Sequence, residues 1–189
     1  MRKIVIFASG SGSNAEQIVA YFNKENTAKV SLILSNNLNA GVLNRAKRLK
    51  IPSLVFDRQA FYHTNVVLDI LKNEAPDLIV LAGFLWKFPE HIISEFPNRI
   101  VNIHPSLLPK YGGKGMYGNF VHQAVIDHKE AESGITIHYV NENYDEGAII
   151  FQAKTEVSTD DTAETLAQKV HLLEYEYFPK IVEQLLEQN

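Results

Sequence analysis

The chain has 189 residues, of which 46% are hydrophobic, with a formal net charge of −4 and no cysteine. These values exclude a disulfide framework, a thiolate nucleophile and a cysteine metal site, and they provide no general attraction to nucleic acid. The N-terminal apolar run, residues 4–8, is too short for a signal-peptide core or a membrane span. We therefore expect one cytoplasmic domain over residues 1–189, with no nucleic-acid or membrane partner.

Short apolar runs of strand length alternate with amphipathic segments in the first part of the chain. The apolar runs cover residues 3–9, 30–35, 53–56, 77–83 and 99–104. Their nearly continuous apolarity predicts strands that are covered on both faces, as in a parallel sheet. Helical periodicity between them spans residues 14–24, 41–50 and 64–77. This order predicts an α/β fold with a single doubly wound, Rossmann-like sheet and helices on both faces.

The pattern changes after residue 105, where a loop rich in proline and glycine begins. It is followed by a predicted helix over residues 121–129 and by strand patterns over 134–140 and 148–157. The turn-rich connection between those two strands favours antiparallel pairing. The last segment predicts a long amphipathic helix that is capped at residues 160–162 and broken or kinked near Pro179.

The glycine-rich loop GSGSNA, residues 10–15, follows the first strand and satisfies the dinucleotide fingerprint G-x-G-x-x-A. A dinucleotide site also needs an acid about 20 residues on, at the end of the second strand, where this chain has Ser35-Asn36-Asn37. The Gly-Lys-Ser/Thr ending of a triphosphate loop is missing as well. The loop therefore predicts a site for one phosphate or a similar anion, with Ser13 or Asn14 capping the next helix. A glycine-softened turn without a ligand is the alternative.

Two polar residues, Asn102 and His104, stand two positions apart at the end of a predicted strand and so point to the same face. His104 can exchange a proton or donate to an oxyanion, although a structural histidine is the alternative. Asp145, in the turn after a later strand, could keep His104 protonated, or be an ordinary surface acid. The seven histidines show no metal-ligand spacing and no G-x-S-x-G elbow occurs, so we expect neither a metal site nor a serine triad.

Three aromatic residues, Phe84, Trp86 and Phe88, follow the fourth predicted strand. They could line a flat apolar pocket for an aromatic ring system, or they could be ordinary core residues.

Four motifs occur in order over nearly the whole chain: GSGSN at 10–14, LAGF at 81–84, NIHPSLLPKY at 102–111, and ITIHYV followed by YDEGAII within 135–150. Together they resemble the phosphoribosylglycinamide formyltransferases, a family of folate-dependent formyltransferases. The resemblance implies transfer of a formyl group from 10-formyltetrahydrofolate, a co-substrate, to the amine of 5-phosphoribosylglycinamide in purine biosynthesis. It implies small-molecule partners and no metal, and it leaves a homodimer open.

The resemblance also implies roles for individual residues. Asn102, His104 and Asp145 would be catalytic, with His138 a nearby accessory. The acceptor substrate would be held by Gly12, Ser13, Asn14, His171 and Glu174. The folate would be bordered by Leu85, Trp86, Lys87, Phe88, Asn102, Asn141, Glu142, Asn143, Tyr144 and Asp145. Residues 1–100 would then form the phosphate-binding half and 101–189 the catalytic and folate half, with no role assigned to the insert at 112–118 or to Arg58.

Several alternatives remain at this point. A formyltetrahydrofolate hydrolase would share the three catalytic residues, and a methionyl-tRNA formyltransferase would share HPSLLP. We expect neither the regulatory domain of the former nor the second domain and basic surface of the latter. An NAD(P)-binding Rossmann protein would explain the loop and sheet, but the missing acid argues against it. A phosphosugar-binding module would leave NIHPSLLP unexplained.

Overall fold

Seven strands form one mixed sheet in the computed structural model, which describes residues 1–188. The strands are β1 (Arg2–Phe7), β2 (Ala28–Ser35), β3 (Ser53–Val55), β4 (Leu78–Leu81), β5 (Ile100–His104), β6 (Glu132–Tyr139) and β7 (Ile149–Glu156). The helices are α1 (Ser13–Glu25), α2 (Gly41–Leu49), α3 (Arg58–Tyr62), α4 (Val66–Glu74), α5 (Glu90–Ile93), α6 (Asn119–Asp127) and α7 (Ala163–Gln188). The strand order is β3-β2-β1-β4-β5-β6-β7.

The first five strands are parallel, whereas β6 pairs antiparallel with β5 and β7 pairs antiparallel with β6. The central strands β1 and β4 are buried on both faces because helices cover the sheet from each side. Alternate residues of β1 enter two different cores: Ile4 and Ile6 pack with α1 and α7, and Val5 and Phe7 pack with α4. The predicted doubly wound, mostly parallel sheet with antiparallel C-terminal strands is confirmed.

Two local predictions need correction, and two short helices were missed. The residue that precedes α1 is Gly12, so neither Ser13 nor Asn14 caps this helix. The helix α7 runs through Pro179 without a break, so the predicted break there is wrong, whereas the alternative of a kink stays a prediction. The short helices α3 and α5 were not predicted, because five and four residues are too few to show helical periodicity.

The predicted polar start of α7 agrees with the structure. Thr162 stands just before the helix, and its side chain accepts a hydrogen bond from the Thr165 N–H at 3.3 Å. The Thr165 hydroxyl in turn accepts from the Thr162 N–H at 2.9 Å, which closes a reciprocal cap. This anchoring matters because α7 carries two residues of the site, described below. No helix within residues 1–188 combines the length and apolarity that a bilayer crossing requires.

Candidate active site

The candidate site lies where the chain reverses its winding direction between β1 and β4. From β1 the sheet grows through β2 to β3 on one side and through β4 to β5 on the other, which leaves a crevice at the carboxyl ends of the strands. The loops after β1 and β4 are joined there. The Ser9 N–H donates to the Gly83 carbonyl at 3.0 Å, and the Leu85 N–H donates to the Ser9 hydroxyl at 2.9 Å.

A cavity of about 610 Å³ opens at this crevice. Ten residues to which the resemblance gives a role line it: Gly12, Ser13, Asn14, Leu85, Asn102, His104, Tyr144, Asp145, His171 and Glu174. They come from five separate parts of the chain, brought together by the sheet edge, the insert and α7. The structure thus groups the phosphate loop and the three polar residues around one space.

The glycine-rich loop is shaped by its contacts with α2. Gly12 has φ +78°, and a Cβ at this position would lie 2.4 Å from the Val42 side chain, so only glycine fits. The helix α1 begins directly afterwards, at Ser13. Its first N–H groups have no acceptor within the helix, and no side chain caps them. This end of the cavity is therefore suited to an anion.

Opposite the loop, a buried carboxylate links α7 to α1. Glu174 is 5% exposed, and its Oε2 accepts hydrogen bonds from Asn14 Nδ2 and His171 Nδ1, each at 2.8 Å. The hydrogen bond to Glu174, partly offset by burial, raises the pKa of His171. The side-chain amide oxygen of Asn14, Oδ1, is buried without a partner among the described residues. Polar groups at this end thus leave hydrogen-bonding capacity for a ligand.

Asn102, His104 and Asp145 meet at the other end of the cavity, where β5 ends. His104 is 4% exposed, and its Nδ1 lies 3.6 Å from Asp145 Oδ2. Its Nε2 lies 2.7 Å from the Tyr111 carbonyl. Since a carbonyl only accepts, the Nε2 atom of His104 bears a proton and Nδ1 is the position free to gain one.

Asn102 is oriented by a second histidine. The His138 Nδ1–H donates to the Tyr139 carbonyl at 2.8 Å, so its Nε2 accepts from Asn102 Nδ2 at 3.1 Å. The other amide hydrogen of Asn102 faces Asp145 Oδ1 at 3.5 Å, the outer limit of a hydrogen bond. That N–H is therefore available to a better acceptor.

The expectation that Asp145 keeps His104 protonated is wrong for the free protein. Burial lowers the pKa of His104 below its ordinary value, and the opposing effects of Asp145 and the Tyr111 carbonyl are smaller. Burial would raise the pKa of Asp145, but the His138 and His104 rings and the Gly113 N–H outweigh it, so this pKa lies below its ordinary value. The resting pair is consequently a neutral imidazole beside a carboxylate.

The turn that presents Asp145 depends on close backbone approaches. Asp145 itself has φ +56°, a left-handed conformation that Asp tolerates better than most residues. Its Oδ2 accepts from the Gly113 N–H at 2.9 Å, which ties the turn to the insert. At Gly147 a Cβ would lie 1.6 Å from the Tyr139 carbonyl oxygen. The glycine at position 147 in YDEG therefore has a steric cause.

Some residues of the aromatic segment after β4, residues 84–88, line the cavity and others pack in the core. Phe84 and Leu85 line the cavity, whereas Phe88 is 3% exposed and packs beneath the sheet against Phe7. Trp86 lies outside the cavity lining, with the Arg58 guanidinium 4.7 Å above its ring. Lys87 is exposed, and its carbonyl accepts from the Tyr62 hydroxyl at 2.9 Å. Of the four residues over 85–88 that the resemblance places beside the folate, only Leu85 lines this cavity.

The second predicted folate segment also contacts the cavity only in part. Tyr144 and Asp145 line it. The same turn also contains Asn141, Glu142 and Asn143, which are not part of the cavity lining. Within it, the Asn143 N–H donates to Asn141 Oδ1 at 3.0 Å.

Two parts of the lining were not assigned from the sequence. One is the insert, of which residues 113–118 line the cavity. The other is His122 on α6, which is 2% exposed and whose Nδ1 has no partner among the described residues. Burial, with the nearby His171 adding to the effect and Glu174 opposing it, lowers the pKa of His122 to about 4. Its helical segment contains no motif, so the sequence offered no signal for it. No group of three or more metal-ligating side chains occurs within residues 1–188.

Comparison with known proteins places this geometry among related chains. A family described as "Formyl transferase" matches residues 2–182. The phosphoribosylglycinamide formyltransferase of Bacillus subtilis is 35% identical over 194 aligned positions, which cover 100% of this chain and 97% of the relative. That of Haemophilus influenzae is 37% identical and covers 96% of this chain and 86% of the relative. The crystal structure of phosphoribosylglycinamide formyltransferase from Anaplasma phagocytophilum superposes with a TM-score of 0.89 at 32% identity, covering 99% of this chain and 88% of that chain.

Proposed function

This chain belongs to the phosphoribosylglycinamide formyltransferase family, and we propose that its cavity transfers the formyl group of 10-formyltetrahydrofolate to the amine of 5-phosphoribosylglycinamide. The products of that reaction are formylglycinamide ribonucleotide and tetrahydrofolate, in purine biosynthesis. In this proposal the phosphate loop belongs to residues 1–100 and the catalytic residues to 101–189 of one domain.

The acceptor substrate would lie between the loop and α7. Its phosphate would bind the free N–H groups at the start of α1, with Gly12, Ser13 and Asn14 around it. The buried Glu174 carboxylate accepts hydrogen bonds only, so it suits the ribose hydroxyls on the glycinamide side. The His171 ring, held on Glu174, closes that side. This arrangement directs the amine toward β5.

The folate would enter from the side of Leu85 and Tyr144, which face the cavity from two different segments. Phe84 adds apolar surface for a flat ring. Bound there, the formyl carbon would lie between the amine of the acceptor and the polar residues of β5. The co-substrate supplies the one-carbon group, and the chain's own residues orient both reactants and move the proton.

The chemical step is an attack of the amine on the formyl carbon. A C–N bond forms, the carbonyl oxygen becomes an oxyanion, and the free N–H of Asn102 would donate to it. A single donor of this kind contributes about 3–4 kcal/mol to stabilising the transition state. His138 fixes the amide of Asn102 in the required orientation.

The proton of the attacking amine would pass to Nδ1 of His104, the ring position without a proton. The imidazolium that forms is stabilised by Asp145 at 3.6 Å on one side and by the Tyr111 carbonyl at 2.7 Å on the other. His104 then returns this proton to the folate nitrogen as the C–N bond to the folate breaks. Burial keeps the resting ring neutral, and its two acceptors make the charged form accessible during turnover.

The observation that carries this proposal is the shared cavity, in which an anion-binding helix start and the Asn102, His104 and Asp145 group face one another. The test mixes the purified protein with 10-formyltetrahydrofolate, with or without 5-phosphoribosylglycinamide, and follows release of tetrahydrofolate. We expect rapid release only with the acceptor. Equal release with water alone would instead assign a hydrolase, and no release in either mixture would overturn the proposal.

A further inference from the structure

The helix α2 contacts the phosphate loop on the side that faces away from the cavity. The Val42 N–H donates to the Gly10 carbonyl at 3.1 Å, and the Arg45 Nε–H donates to the Ser11 carbonyl at 2.8 Å. A Cβ on Gly41 would lie 3.2 Å from the Ser11 backbone, so the two segments are closely packed. Two successive carbonyl groups of the loop thus point toward α2.

This direction determines where the N–H groups of the loop point. In a trans peptide the C=O and the N–H of the same unit point in opposite directions. When Arg45 binds the Ser11 carbonyl, the N–H of Gly12 is turned away from α2, and the Val42 contact does the same for the N–H of Ser11. Gly10, Ser11 and Gly12 all line the cavity. The Arg45 guanidinium, which lies outside the cavity, therefore orients the Gly12 N–H that would bind the anion.

Arg45 is itself held in place by an acid in the first turns of α1. Its Nη1 forms an ion pair with Glu16, and Arg48 forms a second ion pair with the other carboxylate oxygen. The side chain of Arg45 is 31% exposed and that of Arg48 62%. Arg45 thus bridges Glu16 and Ser11 with one rigid fork, a geometry that lysine cannot reproduce with a single ammonium. Arg48 shares the acid, and within residues 1–188 it forms no hydrogen bond with the loop.

We propose that Arg45 is a positioning residue for the phosphate of the acceptor substrate, acting through the Ser11 carbonyl. This inference rests on the proposed function of the loop. It predicts that loss of Arg45 weakens acceptor binding selectively, because the folate side of the cavity and the residues of β5 keep their own contacts.

The experiment compares Arg45→Met with Arg48→Met, which removes the same charge from the same carboxylate but no contact with the loop. For Arg45→Met we expect the KM for 5-phosphoribosylglycinamide to rise about tenfold or more, the scale of a lost charge-assisted hydrogen bond. The kcat and the KM for formyl-folate should stay near wild type. The inhibition constant of inorganic phosphate against the acceptor should rise in parallel. Arg48→Met should change the acceptor KM by no more than about twofold.

Two further variants keep the outcomes distinct. Arg45→Lys keeps the charge, and it should give an acceptor KM between those of the wild type and Arg45→Met, so it also tests the inference should Arg45→Met fail to fold. Gly12→Ala tests the loop itself. If the acceptor KM rises in Gly12→Ala but is the same in Arg45→Met as in Arg48→Met, the role of Arg45 is overturned. The phosphate assignment of the loop then still holds. If Gly12→Ala also leaves the acceptor KM unchanged, the phosphate assignment of the loop fails as well.

Discussion

Replacing Asp145 with Asn removes one charge from the proposed proton-transfer pair while keeping its shape. Asn also tolerates the left-handed backbone at this position, where φ is +56°, and its carbonyl can still accept from the Gly113 N–H. The change therefore isolates the electrostatic contribution of the carboxylate to the imidazolium of His104. Asp145→Ala would add backbone strain to the loss of charge.

The separation of 3.6 Å between His104 Nδ1 and Asp145 Oδ2 sets the magnitude. At an effective dielectric constant of about 20, two unit charges at this distance attract by about 4–5 kcal/mol. The two side chains are 5% and 11% exposed, so solvent screens this attraction only in part. With some screening retained, we expect kcat to fall by about 10²–10³-fold, since about 1.4 kcal/mol corresponds to a factor of ten.

The pH profile gives the sign of the effect. His104 must be neutral to accept the proton, so kcat/KM should fall as the pH drops through its pKa, which burial already places below the ordinary value of 6.5. Asp145 opposes that lowering, so Asp145→Asn should move the acid limb to still lower pH. The assay is steady-state release of tetrahydrofolate across pH, with melting curves to confirm folding and exposed Glu146→Gln as the control. A rate within about threefold of wild type, or an acid limb moved to higher pH, would show that Asp145 does not stabilise the imidazolium of His104.

Two more predictions concern α7 and the turn after β6. Glu174→Gln should raise the acceptor KM about tenfold without changing the folate KM, because ribose and Asn14 lose a charged acceptor. In the same variant an NMR titration should show the pKa of His171 falling toward its ordinary value, and an unchanged His171 pKa would contradict the hydrogen bond described. Gly147→Ala should lower the free energy of unfolding by about 1–3 kcal/mol and Tm by at least about 2 °C, because its Cβ meets the Tyr139 carbonyl. An unaltered melting curve would show that the turn relaxes freely.

The sheet could be predicted because its strands are continuous apolar runs that alternate with amphipathic helical segments. Few folds other than a parallel α/β sheet fit that order. Strand β5, for example, ends within NIHPSLLP, at His104, and the order alone places this end at the ligand-binding edge. The first residue of α1 was harder to predict. Ser13 and Asn14 are both good capping residues, so the sequence favoured a later start than the one observed after Gly12. The contact of Gly12 with Val42, which comes from α2, decides the conformation there.

The candidate site was predictable where a motif carried it and not elsewhere. Asn102 and His104 follow from a two-residue spacing on one strand, whereas the protonation of His104 depends on burial that no spacing reveals. His122 lies on a helix without a motif and meets the cavity only through the packing of α6 on α7. An aromatic residue such as Phe88 can line a pocket or fill a core, so the sequence could not decide between them. Its contact with Phe7 assigns it to the core.

In the proposed mechanism, His104 accepts and returns the proton of formyl transfer. The most direct measurement is single-turnover formyl transfer by His104→Ala, with acceptor binding and thermal melting followed in parallel. We expect a transfer rate at least about 10³-fold below wild type, while the acceptor still binds, since a positioned acid–base contributes about 10²–10⁴-fold and Asp145 loses its partner. A rate within about tenfold of wild type in a folded, acceptor-binding variant would contradict it.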